Sequence, residues 1–251
     1  MDTRKVNIVI PMAGRGKRFA DKGYTVPKPL LPIDGKPMVA HIIRNLSFPG
    51  AHFVFIILSE HAKSHGLDKI LREAAPGCDI VMVDGVTEGA ACTVLTASKY
   101  IDNSTPLVIK DCDQILDWVP EHFFRFMERN SADGGIMTIH TNDRGFSFVD
   151  PLKIGPDFFH VSSTAEKVAI SSEGATGLYY FARGSDFVKY AGAMIKKNIR
   201  TNNEFYICPV YNELIEDRLA VLYYPIAQML SLGTPDDFES NKGRVKPILY
   251  G

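Results

Sequence analysis

Short apolar runs alternate with longer amphipathic segments over the first 140 residues of the chain. Each apolar run has the length and composition of a buried strand, and the segments between the runs carry apolar residues at helical spacing. This alternation predicts a doubly wound, mostly parallel sheet with helices on its faces. The predicted strands are residues 6–10, 53–58, 80–83, 107–110 and 135–141, and the predicted helices are residues 38–46, 61–75, 90–100 and 121–130.

The pattern changes after residue 144, where several strand-like runs follow one another closely. Closely spaced short strands predict a small antiparallel patch inserted into the sheet. These runs are residues 146–149, 158–161, 167–170 and 177–181, followed by helices at 186–197 and 209–216, a strand at 220–224 and a short helix from residue 235. No linker or low-complexity stretch interrupts the chain, so the sequence predicts a Rossmann-like α/β fold in a single domain over residues 1–251.

Composition and charge argue against several classes of protein. A net charge of −1 gives no sign of a protein that binds nucleic acid or a membrane surface. No apolar run approaches the roughly 20 residues that cross a bilayer. The cysteines form neither a C-x-x-C pair nor a metal-ligand spacing, which is typical of free thiols in a cytoplasmic protein. They are Cys78, Cys92, Cys112 and Cys208.

A glycine-rich loop follows the first predicted strand, at the edge of the sheet where ligands of such folds bind. Gly14 and Gly16 allow backbone N–H groups to approach an anion closely. Between Gly14 and Lys36 the chain has six basic and two acidic side chains. Phe19 stands where a dinucleotide fingerprint needs its third glycine, and no Ser or Thr follows the lysine as in a Walker A loop. The loop therefore predicts a polyphosphate site of another type, with a tight turn carrying solvated arginines as the alternative.

Two carboxylates follow the predicted strand at residues 107–110, again at a strand end. Mg²⁺ is commonly held by one or two carboxylates together with phosphate oxygens and water. Asp111 and Asp113 are therefore a candidate magnesium site. The alternative is a pair of capping residues ahead of the helix that begins near Glu121.

The segments 10–19 (IPMAGRGKRF) and 27–31 (PKPLL) resemble the signature of the sugar-1-phosphate nucleotidyltransferases, also called nucleoside-diphosphate-sugar pyrophosphorylases. Pro11-Met12 and Lys17 depart from the family's usual residues. The resemblance implies that the loop surrounds a triphosphate and that two cations neutralise charge at the reacting phosphates. The implied nucleotide contacts are Ala13, Gly14, Arg15 and Gly16, and the implied catalytic residues are Arg18, Lys28 and Asp113, the last as the family's metal-binding aspartate with Asp111 beside it.

Other segments resemble further motifs of this family. Residues 84–93 resemble its base loop, although a plain helix N-terminus fits them too. The family's acceptor motifs resemble residues 165–167, 175–181 and 202–206 of this chain. For residues 175–181 the alternative is a plain core strand in which only Gly177 would touch a ligand. The implied base contacts are Glu88, Gly89 and Ala90, and the implied acceptor contacts are Glu166, Lys167, Thr176, Gly177 and Glu204. Ser231 stands where the family has a second metal carboxylate.

The resemblance implies a nucleotidyltransferase that uses Mg²⁺ and joins an NTP to a sugar 1-phosphate, or a related phosphomonoester, with release of pyrophosphate. Residues 1–140 would form the nucleotide-binding half and residues 141–251 the acceptor-binding half. The expected partners are these two small molecules, without nucleic acid or membrane, and assembly into a homo-oligomer stays open. Two other interpretations also stay open. One is a metal-dependent glycosyltransferase, because residues 111–113 fit a D-x-D motif, and the other is a non-catalytic nucleotide-binding relative, because of Ser231.

Overall fold

The apolar runs of the chain form one large sheet and two small ones in a computed structural model that describes residues 5–152 and 159–250. The strands are β1 (Val6–Met12), β2 (Pro32–Ile33), β3 (Lys36–Pro37), β4 (Ala51–Leu58), β5 (Asp79–Val83), β6 (Leu107–Lys110), β7 (Gln114–Leu116), β8 (Gly134–His140), β9 (Ser147–Pro151), β10 (Val161–Glu166), β11 (Glu173–Phe181), β12 (Val221–Pro225) and β13 (Met229–Ser231). The helices are α1 (Lys17–Ala20), α2 (Met38–Leu46), α3 (Ser59–His65), α4 (Leu67–Ala74), α5 (Ala90–Leu95), α6 (Ser98–Ile101), α7 (Pro120–Arg129), α8 (Gly184–Lys196), α9 (Val210–Glu216), α10 (Pro235–Asn241) and α11 (Val245–Tyr250).

The main sheet combines a parallel part with an antiparallel insertion. β1 pairs in parallel with both β4 and β6, and β5 extends this part beyond β4. β11 lies between β6 and β8 and runs antiparallel to both, and β12 closes this end in parallel with β8. β9 and β10 form an antiparallel patch on the first residues of β11. The Rossmann-like, mostly parallel fold with a small antiparallel patch is therefore confirmed.

Alternate residues of the central strand point to opposite faces of the sheet, as the period of a strand requires. Ile8 and Ile10 of β1 belong to one apolar cluster, whereas Val9 belongs to the other. Helices α2, α4, α7, α10 and α11 contribute to the first cluster, and α5, α6, α8 and α9 contribute to the second. The sheet is thus covered on both faces. None of the helices in the described residues is long and apolar enough to cross a membrane.

Several predicted elements differ from the structure. Gly66, with a φ of +62°, divides the predicted helix 61–75 into α3 and α4, and residues 90–100 likewise form two short helices, α5 and α6. The predicted strand at 167–170 is wrong, because Lys167 adopts a left-handed φ of +57° and the chain turns after β10. Of the predicted strand 158–161, residue 158 lies outside the described residues, and β10 begins at Val161.

Candidate active site

A cleft of about 440 Å³ lies beside the ends of β1 and β6, where the glycine loop and the carboxylate pair meet. Its wall comes from segments that are far apart in the sequence. Six of the predicted site residues lie on this wall, namely Arg18, Ala90, Asp111, Asp113, Glu166 and Lys167. A neighbouring cavity of about 160 Å³ is lined by three more, Arg15, Gly16 and Lys28. The fold therefore brings together residues from both halves of the chain.

The glycine loop is held by its own backbone conformation and by one aromatic anchor. Gly16 adopts a left-handed φ of +59°, which starts α1, and Phe19 of that helix is buried in the core. A Cβ at Gly16 would lie 3.5 Å from the Cβ of Lys28, so the loop runs close to the segment that carries this lysine. Ala13 is buried, and an added Cβ at Gly14 would meet nothing within 4 Å. An anion can therefore approach the main chain at Gly14.

Lys28 and Asp113 form an ion pair that connects the glycine loop with the end of β6. Their side chains are only 15% and 20% exposed. Burial lowers the pKa of Lys28, but the acidic groups around it, first of all Asp113, together outweigh burial, and the pKa of Lys28 is raised. Burial raises the pKa of Asp113, but the charge and hydrogen bond of Lys28 and the charges of Lys110 and Arg18 together outweigh burial, and the pKa of Asp113 is lowered. Both groups are therefore charged near neutral pH.

The carboxylates of this region suit a divalent cation that also binds phosphate. Oδ1 of Asp113 is buried and has no hydrogen-bond partner among the described residues. Burial, and then the charge of Asp113, raises the pKa of Asp111 to about 6. No group of three or more His, Cys, Asp or Glu side chains within residues 5–152 and 159–250 could hold a metal by itself. Mg²⁺ needs only one or two carboxylates when phosphate and water complete its shell, so the residues present fit it.

A second lysine lies beneath the carboxylates, and motif analysis missed it. Lys110 is 0% exposed, and its ammonium donates to the carbonyl of Asp111 at 3.0 Å and to Oε1 of Gln114. Burial lowers the pKa of Lys110, and the charges of Asp111 and Asp113 oppose that change. Its position at the end of an apolar strand, directly before Asp111, was the only available signal.

The predicted base loop is attached to a segment more than 100 residues later in the chain, since Arg200 and Glu88 are separated by 112 positions. The N–H of Phe205 donates to the carbonyl of Glu88 at 2.8 Å, and the N–H of Ala91 donates to the carbonyl of Phe205 at 3.0 Å. Gly89, with a φ of +131°, is required here because an added Cβ would lie 2.5 Å from the main chain of Phe205. The guanidinium of Arg200 donates to Oε2 of Glu88 at 2.6 Å. Gly89 thus has a packing role that the sequence did not indicate.

The predicted acceptor residues do not all face the cleft. Lys167 lies on the wall, where its ammonium donates to the hydroxyl of Tyr206. Glu166 is largely buried and accepts from the hydroxyl of Ser147, and burial raises its pKa. Glu204 is exposed, next to Phe205. Tyr206 also lines the cleft, although sequence reasoning had not singled it out.

Thr176 and Gly177 lie where β11 reaches the carboxylates. Thr176 is 1% exposed, and its hydroxyl donates to the carbonyl of Met137 at 3.1 Å, which is a contact of the core. Gly177 has a φ of +69°, and its carbonyl accepts from the N–H of Asp111 at 2.9 Å. A Cβ at Gly177 would lie 2.4 Å from Oδ2 of Asp111. Of these two residues, Gly177 is the one in close contact with the site.

A third carboxylate accompanies Ser231, the residue that departs from the family pattern. The hydroxyl of Ser231 donates to Oδ2 of Asp237 at 3.0 Å, and both residues line the cleft. Thr234 caps α10 by accepting from the N–H of Asp237 at 3.1 Å, which fixes the first turn of that helix. The N–H of Leu232 donates to the carbonyl of Asp113 at 2.7 Å. An acidic group is therefore present beside residue 231, supplied by α10.

The chain matches known proteins along most of its length. The model of the MobA-like NTP transferase domain matches residues 8–180. The bifunctional protein GlmU of Listeria monocytogenes is 27% identical over 235 residues, which cover 91% of this chain and 49% of GlmU. The chain thus spans about half the length of this relative.

Solved structures give the same result. The crystal structure of the nucleoside-diphosphate-sugar pyrophosphorylase from Vibrio cholerae RC9 is 28% identical, with a TM-score of 0.80, and the match covers 94% of this chain and 99% of that one. A UDP-glucose pyrophosphorylase in complex with UDP-glucose is 15% identical with a TM-score of 0.76, covers 97% of this chain and 99% of that one, and supports the fold alone. The family model covers more than half of the chain, and the resemblance seen in the sequence agrees with it. The chain therefore belongs to the MobA-like NTP transferase family, a family of nucleotidyltransferases.

Proposed function

We propose that the chain joins an NTP to a sugar 1-phosphate, or to a related phosphomonoester, and produces an NDP-sugar and pyrophosphate. The observation that carries this proposal is the mostly buried ion pair of Lys28 and Asp113, which links the glycine loop to the carboxylates. The Lys28 ammonium is held in place beside a loop that anions can approach, which suits a reaction in which every reactant is negatively charged. The Vibrio cholerae pyrophosphorylase, at 28% identity, supports the same class of reaction.

In the proposed reaction, a phosphate oxygen of the acceptor attacks the α-phosphorus of the NTP. The bond from that phosphorus to the bridging oxygen breaks, and pyrophosphate leaves with the electron pair. A phosphomonoester loses its second proton with a pKa of about 6, so the acceptor is already ionised at about pH 7 and needs no general base. The task of the protein is to position the two anions and to offset their charge.

Different groups of the protein would contact the triphosphate, the acceptor phosphate and Mg²⁺. The backbone at Gly14 and Gly16 would contact the triphosphate, and Arg18 and Lys28 would offset charge at the α-phosphate and the leaving group. Lys167, which lines the same cleft, would orient the acceptor phosphate. Asp113, with Asp111 beside it, would hold Mg²⁺. When bound, Mg²⁺ would offset further charge on the phosphate oxygens.

Pyrophosphate release is the direct test, measured for four NTPs against a panel of sugar 1-phosphates and other phosphomonoesters. Lys28→Ala and Asp113→Asn are each expected to lower turnover at least about 100-fold. The first removes a positive charge that would offset the reacting phosphates, and the second removes the charged group that would hold Mg²⁺ and that pairs with Lys28. Lys189→Ala and Asp217→Asn are the matched controls, since they break an exposed ion pair of 3.1 Å outside the cleft and should retain turnover. Circular dichroism checks that each variant is folded. Full turnover in both cleft variants would contradict the proposal.

Ligand binding to the wild-type protein distinguishes the two alternative functions. Thermal stability is measured with Mg²⁺ and either an NTP or an NDP-sugar, because a ligand that binds the folded state raises the melting temperature. A shift by the NDP-sugar alone, without pyrophosphate release, would favour a glycosyltransferase. A shift by an NTP without pyrophosphate release from any pair would favour a non-catalytic nucleotide-binding protein.

A further inference from the structure

Lys167 has an unusual backbone conformation for a lysine. Its φ of +57° lies in the left-handed region, which costs a residue with a Cβ about 1 kcal/mol or more. The N–H of Lys167 donates to the carbonyl of Phe146 at 3.1 Å, and β10 ends at the preceding residue. Strain of this kind persists only where the surrounding structure imposes it. The surrounding structure therefore holds this backbone, and the side chain of Lys167 lines the cleft.

The ammonium of Lys167 makes two contacts with Tyr206. The ammonium donates to the phenol oxygen, and it lies 4.3 Å from the centre of the ring. Burial, followed by a hydrogen bond with Glu204, raises the pKa of Tyr206, so the phenol keeps its proton. Tyr206 thus stands between two residues, Lys167 and Glu204, that the sequence identified separately as acceptor contacts.

The main chain on the N-terminal side of Tyr206 is fixed by backbone hydrogen bonds to the predicted base loop. The preceding residue, Phe205, is 1% exposed and forms backbone hydrogen bonds of 2.8 and 3.0 Å with Glu88 and Ala91. Asn202 and Asn203, both with positive φ, form a tight turn in which Thr201 and Glu204 exchange backbone hydrogen bonds of 3.0 and 2.9 Å. A tyrosine on such a fixed segment can restrict a flexible lysine.

We propose that Tyr206 is a positioning residue, whose hydroxyl holds the Lys167 ammonium where it receives the phosphate of the acceptor. This inference rests on the proposed function for its acceptor, although the binding of phosphate tests it without turnover. A lysine side chain has many rotamers, and one that is held before the ligand arrives loses less entropy on binding. Tyr206 therefore acts on the acceptor through Lys167, and it has no part in binding the nucleotide.

Tyr206→Phe is the sharpest variant, because it keeps the ring and removes only the hydroxyl. Inorganic phosphate is titrated calorimetrically into the wild type, Tyr206→Phe, Lys167→Ala and the double variant. Tyr206→Phe is expected to weaken the phosphate binding that depends on Lys167 on the order of tenfold, as for a lost hydrogen bond to a charged group. In the Lys167→Ala background the same change is expected to have no further effect, because the two residues act as one unit.

Steady-state kinetics are measured with the best phosphomonoester of the panel. Tyr206→Phe should raise the KM for this acceptor about tenfold and change the KM for the NTP less than about twofold. Tyr190→Phe is the matched control, because Lys189 donates to Tyr190 at 2.9 Å and lies 4.3 Å from its ring, outside the cleft. It should change neither constant. Unchanged phosphate binding in Tyr206→Phe, or an equal effect with and without Lys167, would overturn the inference. If Tyr206→Phe weakens phosphate binding but the wild-type protein shows no turnover with any substrate pair, the proposed function is refuted and the role of Tyr206 is upheld.

Discussion

The two sides of the cleft are held in place by different kinds of contact. On the loop side, which comprises residues 13–28 and 111–113, the main contact is the ion pair of Lys28 and Asp113. On the strand side, which comprises residues 166–167 and 204–206, the contacts are hydrogen bonds of hydroxyl groups and of the main chain. The two sides therefore differ in the kind of contact and not in its range, since Lys28 and Asp113 are 85 positions apart and Lys167 and Tyr206 are 39 positions apart.

This difference predicts different responses to substitution. Removing one member of a buried ion pair leaves an uncompensated charge and costs about 3–5 kcal/mol. Removing one hydrogen bond to a charged group, such as the one between Tyr206 and Lys167, costs about 1.5–3 kcal/mol. We therefore expect the loop side to fail outright when one charge is lost, and the strand side to weaken in steps. Substitutions at two glycines and at one buried glutamate test this contrast between the two sides.

Gly89→Ala is expected to have the largest effect on stability, because it separates the base loop from the strand side. Its Cβ would lie 2.5 Å from the main chain of Phe205, at a φ of +131° that strains alanine. The free energy of unfolding should fall by about 3 kcal/mol, measured by urea denaturation. Gly85→Ala in the same loop is the control, since its Cβ meets nothing within 4 Å. Equal losses in the two variants would show that the contact with Phe205 is unimportant.

Gly177→Ala tests the point where β11 touches the loop side. The added Cβ would lie 2.4 Å from Oδ2 of Asp111 and 2.9 Å from Oε1 of Gln114. These are side-chain atoms, which can move, so the expected loss in urea denaturation is about 1–2 kcal/mol. Gly192→Ala, on the exposed surface of α8 with open space around it, should instead gain about 0.5–1 kcal/mol. If Gly177→Ala is as stable as the wild type, β11 does not restrain Asp111.

Glu166→Gln should have the smallest effect, visible only as a pH dependence. Burial raises the pKa of Glu166 above its usual 4.5, so the folded protein binds more protons than the unfolded chain between pH 4.5 and the raised value. The free energy of unfolding therefore falls as pH rises through this window, by at most about 1.4 kcal/mol per pH unit. Urea denaturation from pH 4.5 upward should show a flatter profile for the variant. A profile identical to that of the wild type would show that Glu166 does not cause this pH dependence.

The strands of the parallel part could be predicted from the sequence because their apolar runs are local signals. Residues 6–10 and 107–110 were both identified, and they became β1 and β6. The position of β11 between β6 and β8 could not be predicted, because a buried run does not reveal the direction of its neighbours. The turn at Lys167 was missed for a related reason, since the exposed Val168 and Ile170 imitate the alternation of a strand.

The candidate site shows the same division. Arg18, Asp111, Asp113 and Lys167 were identified from motifs and line one cleft. Tyr206, Lys110 and Asp237 were not identified, because each belongs to the site through a side-chain contact rather than through a motif. Thr176 illustrates the opposite case, a motif residue whose hydroxyl is used within the core.

The class of fold, the glycine loop and the carboxylate pair follow from the sequence alone, because they depend on periodicity and on neighbouring residues. Which charges meet depends on the tertiary structure, since Lys28 and Asp113 are 85 positions apart. It also decided that Tyr206 faces Lys167, 39 positions away, on a segment bound to the base loop. Contacts of this kind depend on the order and direction of strands, which are set by packing across the whole sheet and not by any local pattern.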